Sequence, residues 1–405
     1  MSGALALLRR RPQFRALWAA IGLSYAGSGA ATTALTLYVQ QTRGTGTAVA
    51  AFLIASQAPR LLGPLAGGIA DRVDLRAVMV GCDVGQAVVF AAIATLPPFG
   101  VLIALTALAT VLQTSYAPAR TALVPNLVEP EELIAANALL GTATNLYVAI
   151  GPLVGGLLFA AIGPGAALAV NAVTFLGSAA LTTRVPATRP PADVEHEPLL
   201  TATATAARFV WGDPMLRTVA ISICLLLTFL SVDNVALVFL VRETLGGSAF
   251  AYGLIEAVFG VGMLTGSLWI LRGRGGGWAA PRLYLLSCSL SSAASAGSGV
   301  APNLGVLAPI QLVAGSGNGI EIVASETIIQ QHVPRGLIGR VYGFTSSATS
   351  LGLGIAMAGG GFLVDATSPR TAFLIAAAGG LLVTLAIAPT MLRAPASAGA
   401  GAAEG

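Results

Sequence analysis

The sequence of 405 residues contains no lysine, so all 21 of its basic residues are arginine. A phosphate-binding loop of the Walker A type needs a lysine that reaches the nucleotide phosphates, and Schiff-base chemistry needs a lysine amine. The absence excludes an ATP-driven motor of that type and lysine-based covalent catalysis. Charge of either sign is also scarce, since charged residues make up 9% of the chain, against about 25% in an ordinary globular domain.

Histidine and cysteine are almost as rare, with two histidines and three cysteines in the chain. His196 lies in an acidic, proline-rich stretch that we interpret as a loop, and His332 has no Cys or carboxylate at metal-ligand spacing. Cys82, Cys224 and Cys288 stand singly in apolar runs, which is typical of small packing residues. Because the sequence also has no nucleophile–base set and no phosphate loop, we expect no enzyme activity, no metal site and no cofactor.

Apolar residues, by contrast, make up 55% of the chain, and 21 basic and 17 acidic residues could not cover the surface of a soluble fold of this length. A helix that crosses a bilayer needs about 20 mostly apolar residues. Twelve such runs predict an all-α integral membrane protein with twelve transmembrane helices. The runs are 17–39, 47–70, 76–97, 100–119, 137–161, 164–183, 216–241, 248–272, 282–300, 303–326, 338–364 and 370–392.

The arginines orient these spans, because arginine accumulates in the cytoplasmic loops of membrane proteins. If both termini are cytoplasmic, the outer loops contain only Arg43, Arg242 and Arg370, Arg60 lies within a span, and the other arginines are on the inner side. This distribution predicts a multi-pass membrane protein with both termini in the cytoplasm. We expect it in the plasma membrane, which is the inner membrane in cells that have two membranes.

The two halves of the chain resemble each other, for example in Val124-Pro125 before span five and Val333-Pro334 before span eleven. Both halves have six spans and therefore the same orientation, so we expect two parallel six-helix repeats related by an axis along the membrane normal. The predicted domains are an N-terminal six-helix bundle over 1–184, a cytoplasmic linker over 185–215, and a C-terminal six-helix bundle with a short cytoplasmic tail over 216–405.

The loop after span two reads Gly67-Gly-Ile-Ala-Asp71-Arg72-Val-Asp-Leu-Arg76. It resembles the loop signature of the major facilitator superfamily in Gly67, Asp71, Arg72 and Arg76, whereas Asp74 stands where the signature has a glycine. The resemblance implies the major facilitator fold and a conformational gate, in which Asp71 faces the N-terminus of span eleven. An ordinary basic cytoplasmic loop would explain the arginines but not their spacing.

Span five contains Gly151-Pro152-Leu-Val-Gly155-Gly156. This run resembles the end of a signature found in proton-coupled drug antiporters of the same superfamily, although Tyr147 replaces the glycine expected upstream. The alternative is a small-residue interface that lets two helices approach closely.

A longer stretch carries a more specific resemblance. From Pro118 and Arg120 through Pro125 and Asn137 to the segment 171–175, it resembles the macrolide-efflux and enterobactin-exporter branch of the superfamily. The resemblance implies that the protein exports small molecules.

Ionisable residues inside the spans are functional candidates, because a charge at the bilayer centre costs at least about 2.5 kcal/mol. We favour Asp233 and Glu256 as proton-coupling residues. Asp83 and Glu321 are as well explained by structural pairing as by function. Arg60 could be a counter-ion, a substrate anchor or a lock. The candidates for the proton or substrate path are Arg60, Asp83, Asp233, Asn234, Glu256 and Glu321.

Taken together, these patterns favour a secondary active transporter that exports hydrophobic or amphipathic small molecules, as multidrug efflux antiporters do, in exchange for protons. Alternating access would expose a site between the two halves. The partners we expect are a small-molecule substrate, protons and membrane lipid, with no nucleic acid, and we expect a monomer. The alternatives are an importer of a nutrient or metabolite with the same fold, and a non-transporting membrane protein such as a lipid scramblase or receptor.

Overall fold

The computed structural model describes residues 7–62, 74–129, 132–187, 199–270, 279–334 and 337–393. Within these ranges the chain is almost entirely helical and has no strand. The apolar composition explains this, because a bilayer offers no water to the backbone and a helix bonds each N–H and C=O within its own segment. The predicted all-α membrane fold is confirmed.

The first half of the described chain forms helices separated by short turns. The helices are α1 (Pro12–Arg43), α2 (Gly46–Ala55), α3 (Leu75–Ala94), α4 (Phe99–Leu123), α5 (Leu133–Ala149) and α6 (Gly151–Thr182), and 3-10 turns occupy Ala58–Leu62 and Val124–Asn126. The start of α3 is capped by Asp74, whose carboxylate accepts the N–H groups of Arg76 and Ala77. Asp74, which stands where the superfamily loop signature has a glycine, therefore has a local role as a helix cap.

The second half follows the same pattern. Its helices are α7 (Leu199–Gly212), α8 (Pro214–Leu230), α9 (Asp233–Phe239), α10 (Ala249–Trp269), α11 (Ala280–Val300), α12 (Leu304–His332), α13 (Ile338–Ala366) and α14 (Pro369–Arg393), with a π-helical turn at Leu240–Thr244. Asp213 caps α8 by accepting the N–H groups of Met215 and Leu216. Helix α7 lies in the predicted linker.

The described part of every predicted span lies mostly in one or more of these helices, whereas 63–70 of span two and 271–272 of span eight are outside the described residues. Eight segments of the described residues are long and apolar enough to cross a membrane. Three predicted spans are interrupted where the sequence suggested continuous helices. Span two breaks before Pro59, span five breaks at Ile150, and span seven breaks at Ser231. Gly163 lies between spans five and six. Its φ of 80° is not helical, so one helical segment ends there and the next begins after it.

The chain divides into two compact units. The first unit comprises 1–44, 51–196 and 248–257, and the second comprises 45–50, 197–247 and 258–405. The first residues of α2 thus belong to the second unit, and the first residues of α10 belong to the first. The predicted domain boundaries at 184 and 216 stay a prediction.

In the first unit, α1 packs against α5 and α6, while α3 packs against α4 and α6. The buried cluster between them includes Phe14, Leu17, Met79 and Tyr116. Apolar side chains also remain on the outside, where Val88 and Val173 are each 65% exposed. Exposed apolar side chains of this kind are what a surface that faces lipid requires.

In the second unit, α11 packs against α12 and α14, and α8 packs against α13 and α14. Its buried cluster includes Tyr284, Leu283 and Ile328. Here too large apolar side chains are exposed, Leu382 and Leu385 among them. Each unit therefore has its own apolar core and an apolar exterior.

The glycines of the Gly151-Pro-x-x-Gly-Gly run lie at close helix contacts within the first unit. Gly151 lies against the backbone of Gly29 on α1, and a Cβ atom on Gly155 would overlap the carbonyl oxygen of Ala30 on the same helix. Gly156 faces another helix, since a Cβ atom there would meet the backbone of Gly253 on α10. Only glycine allows these backbones to approach so closely.

We expect Gly155→Ala to destabilise the protein, because a methyl group would meet the rigid backbone of α1 and force the helices apart. The cost of overpacking is about 1–3 kcal/mol, and it should appear as a lower thermal unfolding midpoint in detergent. Gly141→Ala on α5 is the matched control, because a Cβ atom there has no neighbour within 4 Å. Equal midpoints for the two variants would contradict the packing argument.

Helix α2 begins at a cap supplied by a residue far along the chain, and both groups belong to the second unit. The carboxylate of Asp365, near the end of α13, accepts the N–H groups of Gly46 and Thr47. The first N–H groups of a helix have no partner within the helix, and the helix dipole favours negative charge there. Asp365 therefore joins α13 to the start of α2.

Asp365→Ala should lower the unfolding midpoint, because it leaves two helix-terminal N–H groups without their acceptor, at a cost of about 0.5–2 kcal/mol. Asp365→Asn keeps one acceptor oxygen and should cost less. The control is Glu326→Gln, which removes an exposed carboxylate of the same unit that has no hydrogen bond to any described residue. If Asp365→Ala and Glu326→Gln unfold at the same temperature, the cap does not contribute to stability.

Candidate functional site

A polar cavity of about 50 Å³ lies within the first unit, among helices α1 to α5. Its polar lining consists of Ser28, Thr32, Ser56, Arg60, Gln86, Thr106, Thr110, Gln113 and Tyr147, and its apolar lining includes Leu35, Phe52, Phe90 and Ala109. A water site needs about 10–15 Å³ of such space, so the cavity has room for a few waters or one small polar group.

Arg60 reaches this cavity because span two is broken beside it. Pro59 has no N–H, so the chain leaves the α-helix after Ala55 and continues as a 3-10 turn in which the N–H of Arg60 donates to the carbonyl of Gln57. Irregular backbone at membrane depth occurs where it is buried in protein or lines a cavity. The break and the guanidinium thus occur together at the cavity wall.

Several cavity groups have hydrogen-bonding capacity that no described residue uses. The side chains of Arg60, Gln86 and Gln113 make no hydrogen bond or ion pair with any described residue, although Gln86 is only 4% exposed. By contrast, Thr32 bonds the hydroxyl of Tyr147 at 3.1 Å. Buried polar groups in proteins normally have partners, so these unused donors and acceptors indicate a place for water or a ligand.

Asp83 lies one helical turn before Gln86 on α3 and is completely buried. One carboxylate oxygen accepts a hydrogen bond from the hydroxyl of Ser178 on α6 at 2.7 Å. The other oxygen has no hydrogen-bond partner among the described residues. The buried hydroxyl of Tyr116 is close enough to both Asp83 and Ser178 for an electrostatic interaction. No described cation forms an ion pair with Asp83.

The cation nearest to this cluster along α4 is Arg120, one turn after Tyr116. Its guanidinium lies over the ring of Tyr25 at 5.9 Å and donates to the Tyr25 hydroxyl at 3.4 Å. Arg120 is therefore held by an aromatic ring and does not neutralise the buried carboxylate of Asp83.

The sequence-predicted candidates of the second unit lie at another helix break. Asp233 is the first residue of α9, directly after the interruption at Ser231, and is half-buried. The amide of Asn234 donates to the Ser231 carbonyl at 3.0 Å and to the Asp233 carboxylate at 3.3 Å. Arg60 and Asp233, which the sequence suggested as polar neighbours, belong to different units.

The two glutamates differ in their surroundings. Glu256 is half-buried on α10, in the part of that helix that belongs to the first unit. Tyr252 precedes it by one turn on the same face of the helix. Glu321 on α12 lies close enough to Tyr284 for an electrostatic interaction. The Tyr284 hydroxyl is paired with Ser222 at 2.9 Å.

Of the predicted gating residues, Gly67, Asp71 and Arg72 lie outside the described residues. Arg76 is described, and its guanidinium donates to the carbonyl of Val185 at 3.3 Å. Whether Asp71 faces span eleven stays a prediction.

An ion-pair cluster before α1 was not predicted from the sequence. The guanidinium of Arg11 contacts Glu129 at 2.8 Å and Glu132 at 3.0 Å. The hydrogen bond to Glu129 is the largest cause that raises the pKa of Arg11. The signal was present in the arginine run 9–11 and the acidic run 129–132, but no spacing rule pairs residues that are so far apart.

Comparisons with known proteins agree with this architecture. The family model of the Major Facilitator Superfamily matches residues 17–346 and 221–404. The uncharacterized MFS-type transporter YfiS of Bacillus subtilis (strain 168) is 26% identical over 341 residues, covering 81% of this chain and 80% of YfiS.

Solved structures share the fold at low identity. A mutant of the nucleoside transporter NupG superposes with a TM-score of 0.81 at 13% identity, covering 94% of this chain and 100% of NupG. A bacterial homologue of the iron transporter ferroportin gives 0.71 at 18% identity, covering 94% and 99%. A bacterial homologue of the human lysosomal transporter Spinster gives 0.73 at 14% identity, covering 94% and 97%. With the family match extending over most of the chain, the protein belongs to the Major Facilitator Superfamily of membrane transporters.

Proposed function

We propose that this membrane transporter is proton-coupled and exports hydrophobic or amphipathic small molecules by alternating access. In this proposal it works as a monomer in the plasma membrane, with both termini in the cytoplasm. The proton is carried by a buried carboxylate, and the substrate binds in part to the polar cavity of the first unit.

The observation that carries the proposal is that Asp83 is completely buried and forms no ion pair with any cation that the structure describes. An ionised carboxylate taken out of water is costly unless it is paired, and an unpaired buried acid neutralises instead. Asp83 has one hydrogen bond, from Ser178, and a second oxygen with none. A bound proton removes the charge, and hydration of the site in another conformation would release it.

Export is supported by the resemblance of the stretch from Pro118 to Phe175 to the efflux branch of the superfamily. The relative YfiS is uncharacterized, so its name gives no information on the direction of transport. The nucleoside transporter NupG and the ferroportin homologue support only the fold at their level of identity.

A second candidate function is an importer of a polar nutrient or metabolite. The observation that favours it is the set of unpaired hydrogen-bonding side chains in the cavity, Arg60, Gln86 and Gln113. Such a set suits a substrate that is itself rich in hydrogen-bonding groups.

Asp233 and Glu256, the acids favoured by the sequence, stay candidates for proton coupling. Both are half-buried, and Asp233 has the amide of Asn234 beside it. Asp83 has no exposed surface, whereas both of these acids are partly exposed, so we place Asp83 ahead of them in the experiments.

Asp83→Asn should abolish proton-driven transport, because an amide cannot bind and release the coupling proton. In everted membrane vesicles, a panel of amphipathic compounds should release protons through the unchanged protein and not through the variant. Exchange of labelled for unlabelled substrate across the membrane at equal pH needs no net proton movement, and it should persist in Asp83→Asn.

Two comparisons separate coupling from stability. Asp213→Asn, which alters a helix cap, should leave coupling intact. If Asp83 is only structural, Asp83→Asn should lower the unfolding midpoint and reduce both types of transport together. Full proton coupling in a folded Asp83→Asn variant would show that Asp83 is not the coupling acid. Asp233 and Glu256 would then be tested in the same assay with Asp233→Asn and Glu256→Gln.

A further inference from the structure

We propose that the polar cavity of the first unit binds a carboxylate head group, with Arg60 as its cationic partner and Gln86 as a hydrogen-bond donor. The transported molecule would then be an amphipathic anion. This inference rests on the proposed function in one respect only, namely that the protein is a transporter whose substrate path includes this cavity. It does not depend on the direction of transport.

The first argument is the unpaired charge of Arg60. A charged side chain inside a span is costly and is normally paired or directed into a cavity. Arg60 lines the cavity, is exposed there, and forms no ion pair or hydrogen bond with any described residue. The guanidinium presents a planar fork of N–H donors that matches a carboxylate in a bidentate contact.

The second argument, which is independent of the first, is Gln86. The residue is 4% exposed and lines the same cavity, and its side-chain amide has no partner among the described residues. An amide NH₂ group donates two hydrogen bonds, so it can complete the coordination of a carboxylate oxygen. Two unpaired groups on different elements, α3 and the 3-10 turn Ala58–Leu62, thus converge on one small space.

The size of the cavity defines what it holds. Pockets that enclose a whole drug-sized ligand occupy about 300–1,000 Å³, whereas this cavity measures about 50 Å³. It therefore accommodates a head group and not a complete substrate. Phe52 and Phe90 also line the cavity, so the apolar part of an amphipathic molecule would find apolar contacts there.

Asp83 does not supply the missing partner of Arg60. Its one hydrogen bond comes from Ser178, and the structure gives no ion pair between Asp83 and Arg60. A carboxylate brought in by the substrate supplies what Arg60 lacks.

The test measures equilibrium binding of four naphthalene compounds to the purified full-length protein in detergent. The compounds are 2-naphthoate, 2-naphthalenesulfonate, 2-naphthamide and 2-naphthylmethylammonium, which share a ring and differ in head group. We expect 2-naphthoate to bind about 10- to 100-fold more tightly than 2-naphthamide, the range that charge-assisted hydrogen bonds provide. The sulfonate, with the same charge and a bulkier head, should bind more weakly than the carboxylate.

Arg60→Gln should remove the preference for 2-naphthoate and leave the affinity for 2-naphthamide unchanged. Arg60→Lys should restore part of the preference, because it keeps the charge but not the planar fork. Arg43→Gln is the control, since Arg43 lies in the same unit over the ring of Phe99 at 4.7 Å and does not line the cavity. If Arg60→Gln does not fold, Gln86→Leu provides the second test and should weaken 2-naphthoate binding specifically.

The inference is overturned if 2-naphthoate does not bind at millimolar concentration, if the amide or ammonium compound binds equally well, or if Arg60→Gln weakens all compounds alike. These failures are distinct from failure of the proposed function. Selective 2-naphthoate binding without proton-driven export would support the carboxylate site and contradict the proposed export. Proton-driven export of neutral or cationic compounds alone would support the proposed export and contradict the carboxylate site.

Discussion

The constraint on which this structure depends is that the bilayer offers no water to polar groups. Backbone groups are satisfied within helices, and the helices are interrupted where another feature compensates. Span two leaves the α-helix at Pro59 beside the cavity. Span seven breaks at Ser231, where the Asn234 side chain donates to the carbonyl of the buried Ser231. The candidate residues Arg60 and Asp233 lie directly at these two interruptions. A break in a membrane helix thus creates a place where polar side chains can be accommodated.

The same constraint explains how the helices hold together. Lipid tails are as apolar as leucine, so apolar area alone gives little reason for two helices to associate, and close packing and polar contacts take over. Gly155 lies against α1 and Gly156 against α10, while the Asp365 carboxylate caps the start of α2. The sequence left two interpretations of the glycine run in span five. Close packing is what the structure displays there, and a role in antiport stays a prediction.

The helical membrane fold could be predicted from the sequence, because hydropathy depends on local composition alone. The orientation inferred from the arginines stays a prediction. We did not predict the breaks at Ile150 and Ser231, although local signals stand beside both. Gly151-Pro152 follows the first break, and the polar residues Asp233 and Asn234 follow the second. Local patterns could not reveal the environment of Asp83. The depth of a residue in the membrane can be estimated from its place along a helix. The hydrogen bond from Ser178 to Asp83 joins two different helices, so it depends on their packing. The unpaired amide of Gln86 was not singled out either, because its burial depends on the packing of α3.

The positions of Asp83 and Gln86, one turn apart on α3, connect the two proposals. Asp83 itself does not line the cavity, whereas Gln86 does. The proton and the head group therefore have separate places on α3, and their coupling passes through the conformational change. Coupling between two sites is reciprocal. A symporter results if the anion favours the conformation in which Asp83 holds its proton, and an antiporter results if the anion favours the conformation in which Asp83 is hydrated and releases it. Export of an anion driven by Asp83 therefore requires that the hydrated conformation of Asp83 is also the one that holds the carboxylate at Arg60.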